Sequence, residues 1–176
     1  MLANPLPLQT TYAQYEIVGM AGMPATQTGW DGDNRIVEDP TGNGIAFGLA
    51  VCQGYQSDKG CTLGQLSGGG FVGITMIDIT LPLVQSRAKV DTYYDTDNIN
   101  IMVRGDIWVA PPTGMHVNSG DPAWFNAVTG QIGSSSIPNA VRINNSRWQT
   151  SLPNLGQPSS VNFGGLAVVR IGASAQ

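Results

Sequence analysis

The chain has 176 residues and a net charge of −4, with only 11% charged residues, 23 glycines, 11 prolines and 41% hydrophobic positions. At that length a single domain buries roughly 70% of its unfolded surface, so neither disorder nor a disulfide-stapled miniature is expected. The eight basic residues are scattered singly, which leaves no footprint for nucleic acid or an anionic membrane surface, and no apolar run nears the ~18 residues of a bilayer span.

The helix-building mixture is scarce, while Gly, Thr, Val, Ile and Asn are plentiful, which favours strands joined by turns. A free globular protein keeps itself soluble with mixed surface charge. A surface this poor in charge is therefore expected to be partly covered by another subunit. No basic residue precedes Arg35, which argues against a secretory signal and for a cytoplasmic protein, or one within something assembled there.

Residues 1–30 show no sustained periodicity, and Pro5, Pro7, Gly19, Gly22 and Pro24 interrupt them. Their apolar content (Leu2, Leu6, Leu8, Tyr12, Tyr15, Ile17) is too high for a solvated tail. They are read as an extended arm that orders on a neighbour, ahead of one β domain over 31–176. Asp31–Asn34 reads as a turn, without the rest of a calcium-loop pattern. Ile36–Val37 begins a short strand, and residues 38–44 form another turn cluster. Ile45–Cys52 and Gly70–Leu81 are predicted strands. The linker between them carries a glycine triplet, Gly68–Gly70, with neither the following helix nor the lysine of a phosphate cradle, and is read as a flexible connection. In GFVGITMIDITL both alternate sets are apolar, Val72, Ile74 and Met76 on one side and Phe71, Ile77 and Ile79 on the other. Such a strand must be covered on both faces.

Ile99–Val109 is the most regular stretch. Ile99, Ile101, Val103, Ile107 and Val109 fall at every second position, with only Gly105 breaking the series. Period two predicts a strand, and a glycine in mid-run predicts a bulge or bend. Pro111 and Pro112 end it. Short strands then follow at Met115–Val117, Trp124–Val128 and Ala140–Ile143, with turn clusters between them, the spacing of a sandwich or barrel. Residues 147–163 read as a long irregular loop, and Gly165–Ile171 as a closing apolar strand. The fold class is thus all-β, a single antiparallel β-sandwich or barrel of jelly-roll-like character with an N-terminal arm and long loops.

Chemistry-bearing motifs are sparse in this chain. His116 is the sole histidine, and no nucleophile motif accompanies it, so no hydrolytic triad is expected. Asp91, Asp95 and Asp97 sit in a turn, where Asp bonds its own backbone. Cys52 and Cys61, nine positions apart, read as two buried thiols; with one distant histidine they make no metal site. Arg104-Gly105-Asp106 spells an adhesion tripeptide but lies inside the predicted strand. Trp30, Trp108, Trp124 and Trp148 could form a sugar-binding platform, and equally a core or a subunit interface.

Taken together, IAFGLAVCQG, GGGFVGITMIDITL, INIMVRGDIWV with VNSGDPAWFNAVTGQI, and the closing GGLAVVRI resemble the structural cement, or head-decoration, proteins of tailed bacteriophages. The resemblance runs from about Ile45 to Ile171. It implies a non-enzymatic, cofactor-free virion protein that is assembled in the host cytoplasm, sits on the outer capsid surface and bridges neighbouring capsomers of the mature shell. The implied partners are the major capsid protein and other copies of itself, as a dimer or trimer, with neither nucleic acid nor membrane. Leu2, Leu6, Leu8, Tyr12, Tyr15 and Ile17 are then the candidate contacts. A carbohydrate-binding β-sandwich using exposed tryptophans is the alternative.

Overall fold

The computed structural model describes residues 19–27, 29–78, 92–152 and 165–172. Among the described residues there are twelve strands, in chain order β1 (Asp31–Val37), β2 (Ile45–Ala46), β3 (Ala50–Gln53), β4 (Gly60–Leu63), β5 (Phe71–Thr75), β6 (Thr92–Tyr93), β7 (Asn98–Val109), β8 (Trp124–Asn126), β9 (Ile132–Gly133), β10 (Ala140–Arg142), β11 (Arg147–Trp148) and β12 (Ala167–Ile171). Seven strands run in the order β1-β4-β3-β5-β7-β12-β11, and β1 pairs again with β7. That second pairing closes β1, β4, β3, β5 and β7 into a barrel, which joins the two edges that these five strands would otherwise leave open. Two small sheets, β10-β8-β9 and β2-β6, complete the fold. Of the two architectures that the sequence leaves open, the barrel is the one that forms. Its pairings are antiparallel except β1 with β4.

The buried side chains divide into two cores. Val37, Ile45, Val51, Cys61, Tyr93, Ile99 and Ile101 make one, bounded by the barrel wall. The larger core lies on the other side of β3, β5 and β7, where Cys52, Ile74 and Met102 meet Phe125, Ile132, Ile143, Trp148 and Val169. β5 is therefore covered on both faces, as its two apolar sets require, and both covers come from this chain.

β7 belongs to both cores in turn. Ile99 and Ile101 face the barrel, whereas Ile107 and Val109, in the same alternate series, face the larger core. The change of face occurs where the β1–β7 register slips: Asp31 pairs with Arg104 and Gly32 with Met102, leaving Val103 as the extra residue. Gly105 follows at φ +133°, a backbone that side-chain-bearing residues rarely adopt. The bend expected at Gly105 is present, and it transfers the strand from one core to the other. A similar slip opposite Val51 and Cys52 leaves Val72 unpaired in β5. As a result Val72 packs against the barrel core and Ile74 in the larger one, not on one face as strict alternation predicts.

Several local expectations need correction. Asp31–Asn34 is strand, not turn: its pairing along β7 overrides poor intrinsic propensity, with Asp33 held by Arg35 and Lys59 at 2.9 Å each. Arg147–Trp148 is strand β11, paired with β12, and not part of a loop. The glycine triplet is pinned rather than loose, because Gly70 O accepts from Gln53 N at 2.9 Å and Gly68 N donates to Gln65 O at 2.8 Å. Ile45–Cys52 also divides into β2 and β3 around Gly48 at φ +73°.

Cys52 and Cys61 are both free and buried. Cys61 pairs with Gln53 and Cys52 with Thr62, one register step apart, so the two thiols enter different cores. Burial pushes each thiol up to about 12, well above the range of a reactive cysteine.

Candidate interaction surface

The segment before β1 does not stand free of the domain over its described part. Gly22 N donates to Trp108 O at 2.8 Å, Trp108 N to Met23 O at 2.9 Å, and Ala25 N to Asp106 O at 2.7 Å. Pro24 bridges to Ile107, so residues 22–25 lie along the far half of β7 as an added strand. Ile77 N also donates to Gly22 O at 2.9 Å, which ties the segment to the end of β5. Met20 and Met23 remain exposed on this strap, as does Trp30 just before β1. The candidate contacts Leu2, Leu6, Leu8, Tyr12, Tyr15 and Ile17 lie outside the described residues.

Further apolar side chains project from loops. Tyr55 stands on the β3–β4 hairpin, whose backbone is clasped by the buried Glu38: Oε2 accepts from Tyr55 N at 2.7 Å and Gln56 N at 3.0 Å. Leu66 and Val128 are exposed on two loops joined by Gln65 N donating to Ala127 O at 2.7 Å. These are separated points of apolar surface, each held by a well-bonded backbone, the form of surface that contacts a partner without reshaping itself.

The four tryptophans do not form a platform. Trp148 is 1% exposed and Trp108 7% exposed, both in core positions, while Trp30 is 38% exposed. Trp30 borders a groove of about 330 Å³ lined also by Gly32, Asn34, Met76, Ile77 and Asn100. Gly32 permits this arrangement by close approach, since a Cβ there would stand 3.2 Å from Trp30 Cζ3.

The titratable groups serve the fold. Asp106 is buried in β7 and takes a two-pronged bond from Arg170 of β12, at 2.7 Å to each oxygen. The adhesion tripeptide is thus strand backbone with its carboxylate already engaged. Asp97 Oδ2 accepts from Tyr94 N at 2.7 Å, the local bond of a turn, whereas Asp95 Oδ1 accepts from Asp39 N at 2.9 Å and ties that turn to the segment after β1. Burial alone would raise the Asp39 carboxyl, but bonds from the Thr41 hydroxyl and the N–H groups of Gly44, Thr41 and Gly42 outweigh it and hold Asp39 below its ordinary value. The hydrogen bond from Lys59 holds the Asp33 carboxyl low, with Arg35 assisting against a smaller burial effect. His116 is exposed, next to the Val117–Leu152 bridge. Among the described residues no group of three His, Cys, Asp or Glu side chains is placed to hold a metal ion, and no helix is long and apolar enough to cross a membrane.

Comparison with known proteins bears on this surface. The family model described as structural cement protein (E217 gp24/Pam3 gp6) matches residues 8–172, reaching well before the Ile45 at which the sequence resemblance begins. A chain from a solved structure of the capsid of Myoviridae phage XM1 has a similar fold, with a TM-score of 0.63 at 13% identity, covering 94% of this chain and 98% of that one. A comparison with curated proteins gave no match.

Proposed function

The chain belongs to the phage structural cement family, a virion structural role, and from that premise we propose that it binds the outer surface of the capsid and cements neighbouring capsomers of the mature head. The family match across residues 8–172 carries this reading. Low surface charge and the separated apolar points Met20, Met23, Tyr55, Leu66 and Val128 support it. The partners on this reading are the major capsid protein and further copies of the chain, as a dimer or trimer. The mechanism is additive. Each copy buries modest area across a capsomer boundary, and symmetry repeats that contact over the shell. Because the protein binds the assembled state, it stabilises that state by mass action.

In this reading residues 1–30 act as an arm in front of the domain over 31–176, and Leu2, Leu6, Leu8, Tyr12, Tyr15 and Ile17 supply its apolar contacts. Residues 22–25 already bond to β7, so a deletion that tests the arm should end before them. A chain lacking residues 1–18 is expected to fold and to lose co-sedimentation with capsids that lack the protein, while the full chain sediments at a fixed ratio to coat subunits. Equal sedimentation of both chains would remove the arm from the mechanism. Failure of the full chain to sediment would overturn the cement reading itself.

A further inference from the structure

We infer that the groove beside Trp30 is a binding site for a neutral pyranose sugar, separate from any capsid contact. Three features of the groove point to that chemistry. Its volume of about 330 Å³ falls at the small end of the ~300–1,000 Å³ range of small-molecule pockets, the size of a mono- or disaccharide. One wall is the half-exposed indole of Trp30, with Met76 and Ile77 beside it. An indole face is the surface on which the apolar C–H face of a pyranose stacks.

The second feature is a pair of amides. Asn34 and Asn100 are directly opposite one another across the β1–β7 ladder, both exposed and both lining the groove. Each amide offers two donors and an acceptor, and neither side chain makes a hydrogen bond among the described residues. Two such groups held at fixed cross-strand spacing can bond adjacent sugar hydroxyls as donor and acceptor together. The ladder that spaces them costs no ordering on binding.

Charge is the third. Asp33 also borders the groove, but its two oxygens are taken by Arg35 Nε and Lys59 Nζ at 2.9 Å each. Those bonds engage both carboxylate oxygens, and neither cation lines the groove, whose remaining surface is amide and apolar. A phosphate or a sulfated glycan would find no unengaged cation there; a neutral sugar needs none. Trp30 is held in place by two glycines. A Cβ on Gly32 would crowd its ring, and one on Gly105 would stand 2.5 Å from its Cβ.

The inference does not depend on capsid binding, because its test uses the isolated full chain. Maltotriose, cellotriose and chitotriose are titrated separately, with heat of binding and tryptophan fluorescence as readouts. Saturable binding of at least one sugar is expected. Trp30→Ala should weaken it by about tenfold or more, and Asn34→Ala or Asn100→Ala by several-fold. Both asparagines are exposed, so these two variants test the site even if Trp30→Ala fails to fold. Absence of saturable binding for all three sugars would overturn the inference. So would binding that survives unchanged in both asparagine variants.

Discussion

The two halves of β7 read alike in sequence and differ in what they hold together. Asn98–Val103 walls a small barrel whose interior is closed off by Tyr93 and Ile45. Gly105–Val109 pairs with β12 and faces the larger core, which contains Phe125, Trp148 and Ile143. The odd-numbered apolar residues belong to one alternating series, yet a one-residue bulge and a glycine divide them between two compartments. Alternation thus reports that a residue is buried, while pairing slips decide where.

The difference can be broken first from the side of the larger core. Phe125 is fully buried there, and Phe125→Ala should cost about 3–5 kcal/mol in urea unfolding. The cysteines sharpen this test, one being buried in each core. In Phe125→Ala, Cys52 should label with a thiol reagent before Cys61. Equal labelling rates would show that the two cores open as one unit. Next comes the junction. Gly105→Ala places a side chain at φ +133° and against Trp30, and should cost about 1–3 kcal/mol, read as a lower unfolding midpoint.

A smaller effect is expected from the bond that links the compartments. Tyr93, in the barrel core, donates its hydroxyl to Met76 O at 2.9 Å, and the Met76 side chain lies in the other core. Tyr93→Phe should cost about 1 kcal/mol. The smallest effect is a pH dependence at one end of the barrel. Asp39, two residues beyond β1, is held below the ordinary aspartate value of 3.8 in the folded state, so its contribution is complete above pH 3.8 and is lost as pH falls further. Asp39→Asn should therefore lower the thermal midpoint at pH 7, with the gap to the parent narrowing below pH 4. A gap that widened on acidification would contradict the assignment.

Much of this architecture was legible in the chain itself. β7 and β12 declare themselves through apolar alternation, and the turn at Asp97 through a side chain that bonds local backbone. The aspartates and glycine at the start of β1 did not, because their strand state comes from pairing with β7, a partner more than sixty residues away. The bulge at Val72 was equally hidden, since Val72 and Ile74 are apolar whichever core they enter. For the candidate surface, the four tryptophans left a sugar platform, a core and a subunit interface equally open in sequence. Only the fold separates Trp30, on its groove, from Trp108 and Trp148 in core positions. The pairing of Asn34 with Asn100 required the ladder, because nothing in either local sequence refers to the other.

The central claim is that this chain stabilises a phage head by binding it. Scanning calorimetry of mature capsids lacking the protein, with and without a saturating amount of the full chain, tests it most directly. The account predicts that shell disruption moves to higher temperature and that the increase saturates once every site is filled. Disruption at the same temperature at every ratio of protein to coat subunit would contradict it.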